Sequence, residues 1–457
     1  MSFSGPCIAK ADINGDGLED IYIGGTQGQT AVLFIQKKNG EFVKKPQAAF
    51  ASSIKSEDAD AVFFDANKDG FIDLYVCSGG YDSYTAADPS LQDRLYLNDG
   101  KGNFRQAVNA LPKMLSSKSC VRVTDFNQDG HPDLFIGGRV VPGRYPETPA
   151  SYLLINDGQG NFKDQVETIA PQLQKAGMIT DAAWVDLNGD KKQDLIIVGE
   201  WMPVTVLISN NGKLIDKTTD YFDKPFSGWW NKLLVDDLNN DGLPDIVIGN
   251  TGLNTQCKAT EQEPAEMYYK DFDDNGSVDP ILCFYIQGKS YPYVTRDEML
   301  DQMSIMRTRF PDYKSYADAS MKDIFTKEEL NGVSRLKANH LKTTAFINNG
   351  KGKFKELDLP IEAQFSPVFT VTAIDYDKDG NKDLLLCGNI SRARLRFGKY
   401  DANYGLLLKG NGKGGFTYIS QQKSGFNIKG DVRSVVQTNN KLIFGISQQG
   451  LKAYTLR

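Results

Sequence analysis

The nonapeptide DINGDGLED, residues 12–20, places three aspartates, one asparagine and two glycines in one short stretch. An apolar run, Ile21 to Ile23, follows immediately. Three aspartate carboxylates held within a few ångströms repel one another unless a cation or solvent neutralises them. This stretch therefore indicates either a cation site or a solvated turn.

The same pattern occurs seven times, as Asp-x-[Asn/Asp]-x-[Asp/Asn]-[Gly/Lys]-x-x-Asp, usually between two apolar strand-like runs. We number the copies loops 1 to 7: DINGDGLED (12–20), DANKDGFID (65–73), DFNQDGHPD (125–133), DLNGDKKQD (186–194), DLNNDGLPD (237–245), DFDDNGSVD (271–279) and DYDKDGNKD (375–383). Self-similarity of this kind indicates a repeat architecture.

Oxygen ligands at positions 1, 3 and 5 of such a loop converge on one point. The carbonyl of position 7 adds a ligand, the aspartate at position 9 closes the cage, and glycine at position 6 allows the sharp turn. Ca²⁺ tolerates such flexible, carbonyl-containing sites better than Mg²⁺ does. The alternative, an Asx-rich turn that only solvates its charge, explains one copy better than seven. The loops therefore predict several Ca²⁺ sites, up to seven.

The predicted metal ligands are positions 1, 3, 5, 7 and 9 of each loop. They are Asp12, Asn14, Asp16, Leu18, Asp20, Asp65, Asn67, Asp69, Phe71, Asp73, Asp125, Asn127, Asp129, His131, Asp133, Asp186, Asn188, Asp190, Lys192, Asp194, Asp237, Asn239, Asp241, Leu243, Asp245, Asp271, Asp273, Asn275, Ser277, Asp279, Asp375, Asp377, Asp379, Asn381 and Asp383. Unlike an EF-hand, the loop closes at position 9 and has strand-like flanks. Loop 4 has Lys191 at the glycine position and Lys192 at the carbonyl position, so we expect a weaker site there.

Composition agrees with a calcium-loaded protein. The 457 residues are 40% hydrophobic and 24% charged, which is typical of soluble globular proteins. The formal net charge is −6, and 22 acidic residues occupy the ligand positions. Because each ion carries two positive charges, seven Ca²⁺ would change the net charge from −6 to +8.

A second repeated phrase follows the loops: an apolar strand, an Asn/Asp-Gly turn and another strand, which predicts a hairpin. Its copies are LYLNDGKGNF (95–104), LLINDGQGNF (153–162), VLISNNGKLI (206–215), AFINNGKGKF (345–354), LLLKGNGKGGF (406–416) and the looser VLFIQKKNGEF (32–42). Strands A and B joined by the loop, then C and D joined by the turn, predict an all-β propeller of four-stranded antiparallel blades. Seven blades are expected over residues 1–457. The last of them is degenerate and comprises residues 431–446 and the strand GLKAYTL. A total of eight blades remains possible.

Residues 251–340 interrupt this rhythm and are predicted to be an insertion within blade five. MYYKDFDDNGSVDPILCFYIQG (267–288) predicts an extra metal-bearing hairpin. Thr-x-x-Glu capping boxes in TRDEMLDQM (295–303) and FTKEELNG (325–332) predict two short helices.

These residues resemble the FG-GAP/VCBS repeat proteins, whose calcium-loaded propellers include the integrin α-subunit head, and within them the ASPIC-like branch of large exported bacterial proteins. The phrases that carry the finer resemblance are GGRVVPGRYP (137–146), GEWMPV (199–204), KDFDDNGSVDPIL (270–282), IEAQFSP (361–367) and FGKYDANYG (397–405). The resemblance implies an extracellular or cell-surface propeller that holds Ca²⁺, but no single activity. The N-terminal MSFSGPCIAKAD has no features of a signal peptide, so we expect a domain of a longer exported protein whose leader was removed.

If all metal loops lie on one face, the B–C loops on the opposite face are free for recognition of a protein or glycan. Their aromatic and basic residues suit binding hot spots. The predicted ligand-binding residues are Arg139, Arg144, Tyr145, Trp201, Arg392, Arg394, Arg396 and Tyr400. The alternative is that these loops plug the channel mouth, with arginines paired to Asp93 or Asp401.

Two functions remain open: a non-catalytic binding module, or a glycan-active enzyme such as a polysaccharide lyase. His131 lies in a metal loop and His340 begins a strand, so neither resembles a general base. A lyase could use Tyr145 or Tyr400 with the arginines. Binding is favoured because no acid–base pair is apparent.

Nucleic acid is not expected as a ligand, because no RNP-like or helix-turn-helix pattern accompanies the short arginine run. No run reaches the length of a transmembrane segment.

Overall fold

Antiparallel sheets of three to five strands make up the computed structural model, which describes residues 5–350, 352–393 and 398–456. In each of the first three sheets, four consecutive strands pair in chain order, so that they form a meander A-B-C-D. The strands are β1 (Ile8–Ala11), β2 (Asp20–Ile23), β3 (Val32–Gln36) and β4 (Phe42–Lys45); β5 (Glu57–Phe64), β6 (Asp73–Gly79), β7 (Arg94–Asn98) and β8 (Phe104–Gln106); β9 (Ser117–Thr124), β10 (Asp133–Val140), β11 (Tyr152–Asn156) and β12 (Phe162–Asp164).

The fourth sheet gains a fifth strand, and the fifth sheet is interrupted. The fourth comprises β13 (Met178–Val185), β14 (Asp194–Pro203), β15 (Thr205–Asn210) and β16 (Lys213–Asp216), with β17 (Ser227–Trp229) paired to β14. The fifth begins with β18 (Lys232–Asp236) and β19 (Asp245–Gly249). The chain then forms a separate sheet, β20 (Ala265–Lys270), β21 (Asp279–Ile286), β22 (Lys289–Pro292) and β23 (Ser334–Ala338), and returns as β24 (Thr344–Asn348) and β25 (Phe354–Asp358).

The last two sheets follow the meander again; we number them the sixth and the seventh, without counting the inserted sheet of β20 to β23, and the seventh has three strands. They comprise β26 (Val368–Ile374), β27 (Asp383–Gly388), β28 (Leu406–Gly410) and β29 (Phe416–Ile419); β30 (Val432–Thr438), β31 (Lys441–Ile446) and β32 (Gly450–Thr455). The helices are short: α1 (Val166–Ile169), α2 (Thr218–Tyr221), α3 (Arg296–Gln302), α4 (Met306–Arg309), α5 (Tyr313–Tyr316), α6 (Met321–Ile324) and α7 (Gln421–Ser424), with 3-10 turns at Ala48–Ser53, Pro89–Leu91, Pro171–Lys175 and Ile361–Gln364. None of the helices in the described residues is long and apolar enough to cross a membrane.

The two capping boxes predicted in the insertion have different outcomes. Thr295 and Glu298 form a complete box at the start of α3. Thr326 and Glu329 also exchange their hydrogen bonds, but the residues between them form only a turn, so the predicted second helix is wrong. Gly332, with a left-handed φ of 73°, and the start of β23 at Ser334 follow this turn, and the chain continues there in an extended conformation.

Seven of the A strands contact one another in a closed cycle, in the order β1, β5, β9, β13, β18, β26, β30 and back to β1. The sheet of β20 to β23 lies outside this cycle and contacts β14 and β17. Closing the ring removes the exposed sheet edges that an open array would leave. The fold is the predicted all-β propeller of antiparallel blades.

The hydrophobic core lies in the spaces between neighbouring sheets. The B strands are packed on both faces, which explains why every residue of β6, DLYVCSG, is buried. Between the third and fourth sheets, Phe135 and Leu153 pack with Leu195 and Ile197. Each large apolar side chain buried in this way contributes about 1.5–3 kcal/mol, so the stability of the ring is distributed over the contacts between sheets.

Charged side chains near the axis connect four neighbouring blades. The Arg122 guanidinium on β9 pairs with Asp60 on β5, at 2.7 Å, and with Asp181 on β13. Asp181 also pairs with Lys232 on β18, at 3.0 Å. Only 1% of the Asp181 side chain is exposed, and because buried charges need partners, these contacts fix the relative positions of the blades.

Substitution of Arg122 tests this connection. Arg122→Met would leave Asp60 without its ion-pair partner and Asp181 with Lys232 alone, so we expect a loss of about 3 kcal/mol in the free energy of unfolding. Arg105→Met, at an exposed position of β8, is the control and should change it by less than about 0.5 kcal/mol. Urea unfolding measures both; equal effects of the two substitutions would contradict a stabilising role for Arg122.

Candidate metal centres and the cavity on the opposite face

Loops 1–5 and 7 each connect an A strand to the following B strand, so they share one end of the propeller, which we call the loop face. In all seven loops, the backbone N–H of position 6 donates to Oδ2 of the aspartate at position 1, at 2.7–3.1 Å. The N–H of position 7 donates to the side chain at position 5. These bonds wrap the backbone around its own acidic side chains.

Left-handed backbone at positions 4 and 6 makes this wrapping possible. In loop 2, Lys68 and Gly70 have φ of 59° and 85°. Loop 4 keeps the same shape although Lys191 replaces glycine at position 6, with φ of 65°, a conformation that costs a non-glycine residue about 1 kcal/mol. Lys192 Nζ lies 3.9 Å from Asp190 Oδ2. A weaker cation site in loop 4 stays a prediction that both lysines support.

The aspartate at position 9 is buried and bonded at both oxygens. Its Oδ2 accepts the N–H of position 2 in every loop. On the loop face its Oδ1 accepts a backbone N–H from the end of the C strand; the donors are Gln36, Asn98, Asn156, Ser209, Asn348 and Gly410. Burial, with a smaller contribution from nearby loop aspartates, raises the pKa of Asp20, Asp73, Asp133 and Asp245 to about 6. Burial therefore makes the ionised form of these carboxylates less favourable than in water, and a nearby cation would offset that cost.

The oxygen atoms fit a hard divalent cation. In loop 6 the carboxylates of Asp271, Asp273 and Asp279 have oxygens within 4.8 Å of one another, and loop 7 repeats this arrangement at its positions 1, 3 and 9. Asp273 Oδ1 and Asp65 Oδ1 are buried without a hydrogen-bond partner in the described structure. Converging carboxylates with unsatisfied oxygens are the ligand set that Ca²⁺ takes.

The two repeated phrases of the sequence meet on the loop face. A Cβ on Gly100 would lie 2.4 Å from the Phe71 ring, and one on Gly158 would lie 2.4 Å from the His131 ring. Both glycines have positive φ, 75° and 78°. The side chain at position 7 therefore packs over the glycine of the C–D turn, and His131 has a packing role.

Asparagine side chains in these turns join neighbouring blades. Asn98 Nδ2, in the second sheet, donates to the carbonyl of Ile13 in loop 1, at 2.8 Å. Asn156 Nδ2, in the third sheet, donates to the carbonyl of Ala66 in loop 2, at 2.9 Å. The shape of each of these two loops is thereby coupled to the position of the next blade.

Loop 6 departs from the expectation that all metal loops share one face. It connects β20 to β21 in the inserted sheet, and Arg144 Nη1, in the B–C loop of the third sheet, donates to the carbonyl of Gly276 at 3.2 Å. The inserted sheet packs over the ends of β14 and β17, which places loop 6 beside the B–C loops. The expectation was wrong for this loop because the repeat pattern does not encode where an inserted sheet docks.

A cavity of about 580 Å³ opens at the end of the propeller opposite the loop face; we call this end the cavity face. Its wall comprises the first residues of the A strands, the ends of the B strands and the B–C loops, together with Met267 and Leu282 of the inserted sheet. Its size and its mixture of apolar and polar groups are typical of a ligand site.

The A strands contribute to the cavity in a regular way. The residue six positions before the first aspartate lines it in every blade that carries a loop on the loop face: Pro6, Ala59, Ser119, Thr180, Asn231 and Phe369. At four of these positions, and at Arg433 in the last sheet, the ladder skips one residue, which is a β-bulge. Bulges redirect side chains, and the fixed spacing from each loop is a signal that could have identified these positions.

Four of the predicted binding residues line the cavity: Arg139, Tyr145, Trp201 and Arg392. Arg144 instead forms a two-pronged ion pair with Glu147. Tyr400 donates to Thr255 Oγ1 at 3.4 Å and bridges Ile390 through its backbone. Arg394 and Arg396 lie outside the described residues.

An aromatic and charged group occupies one wall. Arg139 pairs with Glu200 at 2.6 Å, Trp201 Nε1 donates to the hydroxyl of Tyr145 at 2.7 Å, and the rings of Trp201 and Trp229 meet edge to face at 5.1 Å. Trp201 has a φ of 60° at a bulge of β14, which is strained for a bulky residue. Such strain is often found at binding sites.

The remaining charges differ from those expected. Asp93 is the partner of buried Lys118, at 2.9 Å, rather than of an arginine. Two lining residues that sequence reasoning missed, Phe369 and Arg433, form a cation–π contact at 4.1 Å.

Burial and the Glu200 charge raise the pKa of Tyr145 well above its ordinary value, so a phenolate base is not available there near neutral pH. Burial lowers the pKa of His340 to about 4, and its ring stacks on Trp230.

Solved structures similar to this chain include a lectin, a biofilm matrix protein and a propeller, all at low identity. A lectin from Agrocybe aegerita, described as recognising non-reducing terminal N-acetylglucosamine, is 15% identical, with 90% of this chain and 79% of that chain covered and a TM-score of 0.46. The V. cholerae biofilm matrix protein Bap1 is 12% identical over 99% and 88%, with a TM-score of 0.38. The Dos1 propeller is 10% identical over 100% and 93%, with a TM-score of 0.42. Similarities at this level carry no argument about the ligand of this chain.

No curated protein matches the chain in sequence. The FG-GAP-like repeat family, in contrast, matches it three times, at residues 12–76, 80–136 and 186–248. Each match contains one or more of the loops described above, and the loops connect the A and B strands of an antiparallel propeller. Membership of the ASPIC-like branch stays a prediction. The chain is an FG-GAP repeat protein.

Proposed function

We propose that this protein is a calcium-stabilised, non-catalytic binding module of the extracellular space or cell surface, whose ligand, a protein or a glycan, occupies the cavity. The observation that carries the proposal is the cavity itself. It lies on the face opposite six of the seven loops, and blades all around the ring contribute to its wall. Aromatic and arginine side chains in that wall are the residue types that dominate binding hot spots.

Calcium enters the proposal through the loop geometry. The buried carboxylate at position 9, the converging oxygens of loops 6 and 7, and the unsatisfied oxygens of Asp65 and Asp273 support a bound divalent cation. When bound, Ca²⁺ would neutralise the clustered carboxylates. The residues of this chain would hold the ion through side-chain oxygens and the carbonyl of position 7.

The proposed compartment follows from affinity. Short mixed Asp/Asn loops match extracellular calcium modules, with dissociation constants of about 10⁻⁴–10⁻³ M. Cytosolic calcium would leave such sites empty, whereas extracellular calcium would fill them. We therefore propose an extracellular location for this protein.

Calcium removal tests the structural role of the loops. A site with a dissociation constant of 10⁻⁴ M contributes about 2.7 kcal/mol at a hundredfold excess of Ca²⁺, and several sites act together. We therefore expect excess EDTA to lower the melting temperature by at least about 10 °C, and Ca²⁺ to restore it. Mg²⁺ at equal ionic strength is the control and should restore less. An unchanged melting temperature in EDTA would refute structural calcium.

Substitution of two aromatic residues on different blades tests the cavity. A glycan array and a pull-down would first identify a ligand. Tyr81→Ala combined with Phe369→Ala removes aromatic wall from the second and sixth sheets, so we expect at least a tenfold loss of affinity, since each aromatic contact of a hot spot is worth about 2 kcal/mol. Tyr313→Ala, at an exposed position of α5, is the control. Equal affinities for all three proteins would place the ligand elsewhere.

The same samples distinguish binding from catalysis. Incubation with acidic polysaccharides should leave the ultraviolet absorbance of unsaturated sugar products at baseline. If that absorbance increases steadily with time and with protein concentration, the protein is a lyase and the proposal of a non-catalytic binding module is wrong.

A further inference from the structure

Strand C of the sixth sheet carries a lysine where the other blades carry an aliphatic residue. In each blade with a loop on the loop face, a residue at the end of strand C, the last one or in the fourth sheet the last but one, donates its N–H to the aspartate at position 9. The residue immediately before that donor is Ile35, Leu97, Ile155, Ile208, Ile347 and, in the sixth sheet, Lys409. The register of the repeat therefore identifies Lys409 as a substitution at an otherwise apolar position.

The Lys409 ammonium contacts two predicted metal ligands of loop 7. Its Nζ pairs with Asp377 Oδ2, at position 3, and lies 2.9 Å from Asp379 Oδ2, at position 5. About a third of each of the three side chains is exposed. Asp377 also belongs to the set of carboxylates in loop 7 whose oxygens lie within 4.8 Å of one another. An ammonium and a divalent cation would thus compete for the same carboxylate.

Loop 7 also differs from the other loops in charge. It is the only copy with aspartate at all four of positions 1, 3, 5 and 9; the other six have three aspartates and one asparagine there. The additional negative charge at Asp377 and the positive charge at Lys409 occur in the same blade and contact each other. Loop 6 is a useful reference, because its carboxylates converge in the same way and no lysine pairs with them in the described residues.

We propose that Lys409 is a built-in counter-ion of loop 7, so that this blade closes with its own ammonium at Asp377 and Asp379 while loops 1–3, 5 and 6 depend on Ca²⁺. The proposal rests on the proposed calcium role of the loops. A Ca²⁺ ion bound to both carboxylates would lie within a few ångströms of Nζ, and the repulsion between the two cations lowers its affinity. Loop 7 is then the loop that keeps its shape when calcium is removed.

Hydrogen exchange of the full chain tests this inference in EDTA and in Ca²⁺. In the wild type, we expect amides of loop 7 to keep their protection in EDTA, while amides of loops 2 and 3 exchange at least tenfold faster. Lys409→Ile introduces the residue of the other blades. It should accelerate exchange in loop 7 at least tenfold in EDTA, restore protection in Ca²⁺, and add one ion to the calcium stoichiometry measured by native mass spectrometry.

Two further variants keep the test decisive. Lys413→Ile removes an exposed lysine from the same hairpin and should leave both readouts at wild-type values. If Lys409→Ile does not fold, Lys409→Gln replaces it in the experiment. The same faster exchange of loop 7 in EDTA and the same additional Ca²⁺ ion are expected for Lys409→Gln. Loss of loop 7 protection in wild-type EDTA samples, together with an unchanged ion count in the Lys409 variants, would overturn the proposal.

Failure of the calcium proposal would look different. In that case no loop would respond to Ca²⁺, so the ion count would be zero for all proteins. The comparison of wild type with Lys409→Ile in EDTA would still decide the role of Lys409: faster exchange confined to loop 7 supports the counter-ion, and unchanged exchange overturns it.

Discussion

The buried aspartate at position 9 of each loop is the constraint on which the structure depends. One of its oxygens holds the A–B loop and, on the loop face, the other holds the end of strand C, so a single carboxylate joins three parts of a blade. It does so within a few ångströms of further aspartates, and burial makes its ionised form costly. The geometry that organises the blade therefore also creates a need for positive charge.

This protein meets such needs in more than one way. Near the axis, Arg122 and Lys232 neutralise Asp60 and Asp181 directly. On the loop face, five of the six loops have an aliphatic residue at the position of Lys409, so their aspartates lack that ammonium, and a metal ion is the counter-ion that their oxygen ligands suit. The sixth blade, with Lys409, combines both features. Carboxylate clusters with different counter-ions can coexist because each loop wraps its backbone around its own aspartates through local hydrogen bonds.

The two faces of the ring have separate roles in this arrangement. On the loop face, turn glycines and asparagines pack against the loops, so those residues are committed to structure. On the cavity face, bulges in the A strands and strain at Trp201 redirect side chains toward an open space. Residues on the cavity face that do not stabilise the fold can be substituted without loss of the fold. This is why propellers accommodate many functions.

The repeat determined much from sequence alone. The spacing of Asp, Asn and Gly in DINGDGLED and its copies identified the A–B loops, and the Asn/Asp-Gly turns identified the C–D hairpins, because both depend on local backbone geometry and short-range hydrogen bonds. The ligand positions and part of the cavity wall, such as Arg139 and Trp201, followed from the same register.

Tertiary packing decided the rest. The docking of the inserted sheet placed loop 6 beside Arg144, and the turn at Thr326 replaced a helix, although both segments had clear local signals. Arg139 met Glu200 instead of Asp93, and the contact between Phe369 and Arg433 formed across two blades. These outcomes depend on which distant surfaces meet when the ring closes, and a local pattern carries no information about such contacts.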